Sequence, residues 1–265
     1  MNEALHYLDV GEGPPLLMLH GGFTDGRATW TVQLRSLASL RRMIVPDRRG
    51  HGASPRDPRP YTIVGDATDA LEVVDRAGVD VFDVAALSYG GLVAIELART
   101  APGRVRSLHL IEPPYLSLLP NDHDVRMLDA TVRRIRAQGT RRSSEWVASE
   151  FFRAILGEEG LGATQANPFV WRAILTEAPR FLDEEYAGEY PADAVTGLRP
   201  GILARVYTGG RSSPALRAVA RRLSELIPGA ELVVVPEASH GVQYSGEPFD
   251  RRLLEATGLA STDLP

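Results

Sequence analysis

A lone serine, Ser88, ends the β-branched and apolar run "VDVFDVAAL" and opens the glycine-rich stretch "SYGGL". A serine hydroxyl is a poor nucleophile until an imidazole removes its proton, so the chemistry within reach is acyl transfer with a histidine partner. A sharp turn from strand to helix exposes such a hydroxyl when the residues two before and two after it are small enough for the backbones to pass closely. Ala86 and Gly90 occupy those two positions. The turn aims the hydroxyl at a cleft on the carboxyl edge of a sheet and leaves the next residue's N–H at the start of a helix. The structural alternative is a serine that caps the helix "YGGLVAIELA".

The elements needed to hold such a turn can be read along the chain. "ALHYLDVG", "PPLLMLHGG" and "RRMIVPDRRGHGAS" read as strands, the last running into a glycine-rich loop. "WTVQLRSLAS" has a helical pattern, and "TIVGDATDALEVVDRAG" spaces its apolar residues for a helix that stops at Gly78. The strand "VDVFDVAALS", the helix "YGGLVAIELARTAP" and the strand "VRSLHLIEPP" follow. From about Asp122 to Gly188 only helical patterns occur: "VRMLDATVRRIRAQG", "SEWVASEFFRAILG" and "PFVWRAILTEAP". Alternation then resumes with "GILARVYTGG", "PALRAVARRLSELIPG", "AELVVVPEAS" and a last helix "PFDRRLLEATGL". Such a series predicts an α/β fold, a mostly parallel sheet with helices on both faces. The expected division is a core of residues 1–114 and 197–265 and an inserted helical cap of residues 115–196.

Composition narrows the function. The chain of 265 residues accommodates one α/β domain with an insertion, or two small domains. Its 44% hydrophobic and 24% charged residues suit a soluble enzyme rather than a disordered segment. The formal net charge is −5 and the basic residues are scattered, which argues against a nucleic-acid partner. All 29 cationic side chains are arginine, so neither a Schiff-base lysine nor a P-loop lysine is available. The absence of cysteine excludes disulfides, thiolate metal sites and a cysteine nucleophile. "MNEALHYLDVGEG" lacks a basic segment followed by an apolar one, and no stretch approaches about 20 apolar residues. The expectation is a cytoplasmic protein with no membrane partner.

Four motifs in order, "HGG" (20–22), "DRRGHGAS" (47–54), "ALSYGG" around Ser88 and "EASHG" with His240, make the chain resemble the α/β-hydrolase superfamily over nearly its whole length. The resemblance implies an α/β-hydrolase fold with a helical cap, Ser88 as nucleophile and His240, after the last strand, as general base. It further implies an oxyanion hole from the N–H of Tyr89 and that of Gly22 or Phe23; two such donors are each worth a few kcal/mol at the transition state. His20 then pins its loop. Asp47, the two arginines and His51 form a tempting cluster for metal or acid chemistry, but the resemblance makes that loop a structural turn.

The acid is where the chain departs from the common pattern. Relatives usually carry an aspartate shortly after the strand that follows the cap; here that stretch reads "YTGGRSSPA", with Ser212 at the expected position. No carboxylate occurs between Asp193 and Glu225. Some members of the superfamily take the acid from the end of the preceding strand, which here reads "LHLIEPPY" and offers Glu112. A buried carboxylate is costly without a partner, and an imidazole N–H from His240 would supply one. The alternative for Glu112 is a salt bridge or a hydrogen bond to the turn. Trp146, Phe151, Phe152, Phe169, Trp171 and Phe181 make the inserted segment rich in aromatics, either lining an apolar pocket or packing between helices.

These readings predict a serine hydrolase acting on a carboxylic ester, lactone or thioester of a small, partly apolar substrate. No metal ion and no organic cofactor is implied. A serine rather than an aspartate at the turn argues against haloalkane dehalogenase and epoxide hydrolase chemistry. The alternatives are another use of the same residues (carbon–carbon bond hydrolysis, perhydrolysis, a cyclase or lyase step) and a ligand-binding protein with little turnover.

Overall fold

The computed structural model describes residues 4–56 and 60–255. Seven strands form one sheet: β1 (Tyr7–Val10), β2 (Pro15–Leu19), β3 (Arg42–Pro46), β4 (Phe82–Leu87), β5 (Val105–Ile111), β6 (Leu203–Gly209) and β7 (Glu231–Val235). Their spatial order is β1-β3-β2-β4-β5-β6-β7. β1 runs antiparallel to β3, with Tyr7 opposite Pro46, and every other pairing is parallel. This is the mostly parallel sheet that the alternation predicts, in the α/β-hydrolase fold that the resemblance implies.

Parallel strands covered on both faces read as continuous apolar runs, and β4 is buried at all six positions. Alternate residues feed two separate apolar layers. Leu17, Leu19, Val84 and Ala86 point into one, and Leu16, Met18, Ala85 and Leu87 into the other. The first layer is covered by α3 (Ile63–Arg76), α4 (Tyr89–Thr100) and α8 (Pro214–Leu226). The second is covered by Trp30, which lies between the turns α1 (Gly26–Thr29) and α2 (Gln33–Ser36), and by α9 (Glu247–Glu255). Residues Tyr89 through Ala98 of α4 are all buried. At about 1.5–3 kcal/mol for each large apolar side chain buried, the helix is fixed firmly against the sheet that carries Ser88.

Between β5 and β6 lie α5 (His123–Gly139), α6 (Ser144–Gln165) and α7 (Pro168–Asp183). Each begins at a side-chain cap: Asp122 accepts from Val125 N, Ser143 from Trp146 N and Asn167 from Phe169 N and Val170 N. Such caps contribute about 1 kcal/mol apiece. α6 outruns the predicted pattern and is interrupted at Gly157, whose φ of 73° only glycine adopts at little cost.

The segment "WTVQLRSLAS" is the main departure from expectation. Only the four-residue turn α2 within it is helical, and the other short turn, α1, precedes it. Buried Gln33 donates to Gln243 O and Asp250 Oδ1, both at 2.8 Å, so distant polar contacts hold the segment in place of a continuous helical ladder. The last helix is seen through Glu255, and the part expected over 256–259 lies outside the described residues. No helix among the described residues is long and apolar enough to cross a membrane.

Candidate active site

β4 delivers Ser88 into a backbone conformation with φ 53° and ψ −123°. A non-glycine residue held there stores about 1–3 kcal/mol of strain, which persists only where the surroundings enforce it. Here the enforcement is explicit. Ser88 N donates to Ile111 O and Gly91 N to Ser88 O, both at 2.8 Å. The Ser88 side chain makes no cap hydrogen bond to the helix, so the capping alternative has no support in the geometry. Gly90 is obligatory: a Cβ there would stand 2.5 Å from His20 O and 2.8 Å from Leu19 O.

Glu112 and His240 meet beside this turn. Glu112 follows β5 with φ 42° and is fully buried. Its Oε1 accepts from Thr208 Oγ1 at 2.6 Å and Gly209 N at 3.0 Å, and its Oε2 lies 2.7 Å from His240 Nδ1. Burial alone would push this carboxyl up; the hydrogen bond and charge of His240, with the Thr208 hydroxyl adding to them, outweigh it and hold the pKa below the ordinary carboxylate range. An ionised carboxylate only accepts. His240 Nδ1 is therefore the donor, and in a neutral imidazole so held the lone pair lies on Nε2. Ser212, at the position where an aspartate was expected, is buried beside the same carboxyl, its hydroxyl outside hydrogen-bond geometry.

The loop after β2 faces Ser88 from the other side, a Cβ on Gly21 falling 3.3 Å from Ser88 Cβ. His20 Nδ1 donates to Gly21 O at 2.7 Å, and His20 Nε2 accepts from Arg48 N at 2.8 Å. His51 Nε2 lies 3.0 Å from Gly22 O. Burial, with the Arg48 charge, drives His20 well below the ordinary histidine range and His51 to about 4, so both are neutral near pH 7. Asp47 accepts from Gly26 N at 2.9 Å and Ala53 N at 3.0 Å. The loop 47–54 is thus a polar scaffold under the carbonyls of Gly21 and Gly22. No group of three or more potential metal-ligating side chains occurs among the described residues.

A cavity of about 290 Å³ joins these parts. Ser88, His240, Gly22, Phe23 and Tyr89 all line it. Its wall comes from Phe151, Phe152, Ile155 and Ile174 of α6 and α7, with Phe181 stacked 4.9 Å from Phe23. Trp146 and Trp171 do not line it, and Phe169 is 88% exposed. The sequence reading missed Glu184. It reaches the cavity from the end of α7 and pairs with buried Arg48, which also holds Asp66 at 2.6 Å. No local pattern marks a contact between residues 136 positions apart.

The chain belongs to the alpha/beta hydrolase family, whose model matches residues 16–252. It is 30% identical over 270 residues, 95% of this chain and 94% of the other, to the non-heme chloroperoxidase CPO-A1 of Kitasatospora aureofaciens. A shorter match, 40% identical over 107 residues and 40% of each chain, links it to the putative carbamate hydrolase RutD of Azorhizobium caulinodans. Among solved structures it resembles a bromoperoxidase of Bacillus anthracis, with a TM-score of 0.75, 18% identity and coverage of 96% of this chain and 95% of that one. The protein is accordingly an enzyme of the hydrolase type.

Proposed function

We propose that the enzyme is a serine hydrolase that cleaves a carboxylic ester, lactone or thioester through an acyl-enzyme on Ser88. The observation that carries this reading is the 2.7 Å contact of buried Glu112 with Nδ1 of His240, a residue that lines the same cavity as the strained Ser88. Ser88 Oγ attacks the carbonyl carbon while His240 Nε2 takes its proton. The N–H of Tyr89 and that of Gly22 or Phe23 receive the developing oxyanion. Collapse expels the alcohol or thiol, protonated by His240, and a water activated by the same imidazole releases the acid. Glu112 fixes the tautomer of His240 and stabilises the imidazolium. Residues 115–196 act as a cap whose Phe151, Phe152 and Phe181 favour an apolar substrate portion.

Competition between nucleophiles tests the covalent step. Esters of one acid with different leaving alcohols should partition between water and added methanol in one common ratio, because all pass through the same acyl-enzyme. Ratios that change with the leaving group contradict it.

Glu112→Gln keeps the shape of the site and removes the charge opposite the imidazolium. Its kcat should fall roughly 10³–10⁴-fold with a much smaller change in KM. Adding Ser212→Asp, a carboxylate beside the same position, should restore part of the loss. A folded Glu112→Gln protein with wild-type kcat would remove Glu112 from the mechanism.

A further inference from the structure

Glu184 closes the cavity with only one of its two carboxylate oxygens engaged. Its Oε1 accepts from Arg48 Nη2 and lies 3.5 Å from His51 Nε2. Among the described residues no donor reaches Oε2. That oxygen hangs over the loop that flanks Ser88, only 3.2 Å from where a Cβ on Gly22 would stand. The residue itself is buried and the cavity wall around it is largely aromatic and aliphatic. One guanidinium, Arg48, is shared between Glu184 and Asp66. The nearby Arg136 does not relieve Oε2, because it donates instead to the backbone carbonyls of Phe181, Leu182 and Glu184. Oε2 is thus open to the cavity, and a carboxylate oxygen that faces a largely apolar wall gains by meeting a donor there. Anchoring α7 to the core needs only Oε1.

On the acyl-transfer reading given above, we infer that Glu184 Oε2 is a specificity determinant that accepts a hydrogen bond from a hydroxyl, amide N–H or ammonium on the substrate, close to the scissile carbonyl. Without such an acceptor, an apolar cavity would reject a hydroxyl-bearing substrate in favour of its methyl isostere; with it, the order is reversed. A site built around a polar partner discriminates strongly against the analogue that lacks it. A substrate carboxylate in the same place is repelled.

Two isosteric pairs test this on the intact enzyme: phenyl 3-hydroxybutanoate against phenyl 3-methylbutanoate, and 2-hydroxyethyl butanoate against propyl butanoate. The first varies the acyl side and the second the alcohol side. In at least one pair the hydroxyl member should be favoured in kcat/KM by roughly tenfold or more, the scale of a hydrogen bond to a charged group. Glu184→Gln retains the shape and a link to Arg48, and it should reduce that ratio about tenfold. A purely structural role would lower both members of a pair alike and leave the ratio where it was. Wild-type enzyme with no hydroxyl preference in either pair overturns the inference without any variant, and so does a preference that survives Glu184→Gln. Failure of the underlying reading looks different: the esters would then be hydrolysed equally by Ser88→Ala, or not at all.

Discussion

Ser88→Ala should lower kcat on an activated ester such as p-nitrophenyl butanoate by at least roughly 10⁴-fold while the protein stays folded. The size of the effect follows from what remains. With the nucleophile gone, the oxyanion donors and the cavity can still bind and polarise the carbonyl, and such residual machinery retains about 10³–10⁴ over the uncatalysed rate. Folding should survive because the substitution removes one oxygen whose hydroxyl makes no cap hydrogen bond to the helix. Alanine inherits the same φ of 53° and the same strain, and the backbone hydrogen bonds from Ser88 N and Gly91 N are untouched. Thermal denaturation of the two proteins should therefore nearly coincide. A Ser88→Ala protein that turns over at more than about a tenth of the wild-type rate means that the chemistry lies elsewhere.

His240→Ala should cost a similar factor, roughly 10⁴–10⁶ in kcat, because serine and its base act as one unit. Stability behaves differently here. Removing the imidazole leaves the buried Glu112 carboxyl with Thr208 and Gly209 alone, so a loss of about 1–3 kcal/mol accompanies the kinetic effect. His51→Ala is the informative contrast. That ring is buried, lies 3.0 Å from the carbonyl of Gly22 and stands outside the cavity lining, so its loss should act mainly on folding. Comparison of kcat and melting temperature for the two variants separates a catalytic imidazole from a scaffold imidazole. A folded His240→Ala enzyme with near wild-type kcat excludes His240 as the base.

The parts of this molecule legible in its sequence are those written locally. The turn at Ser88 needs a strand before it, a helix after it and small residues at 86 and 90, all within a dozen positions. Gly90 is the clearest instance, since the 2.5 Å approach of His20 O leaves no room for a Cβ. Glu112 could be singled out for two local reasons: it directly follows the buried strand β5, and the loop after β6 offers Ser212 in place of a carboxylate. The failures are tertiary. "WTVQLRSLAS" has helical periodicity, yet Gln33 is held by Gln243 and Asp250, more than 200 positions away. The six aromatics of the inserted segment have the same helical spacing whether they line the cavity or pack beside it. Only the rotation of α6 and α7 against the core sends Phe151, Phe152 and Phe181 inward and leaves Phe169 exposed. Glu184 has no neighbour in sequence that announces Arg48, so its place in the cavity emerges only with the fold.

The most direct test of acyl transfer on Ser88 is covalent capture. A fluorophosphonate probe reacts with a serine activated by an adjacent base and an oxyanion hole, and proteolysis with mass spectrometry then locates the adduct. One adduct on the peptide containing Ser88, absent from Ser88→Ala, is the result expected here. An adduct mapped to another serine, or no adduct on the folded wild-type protein, would contradict it.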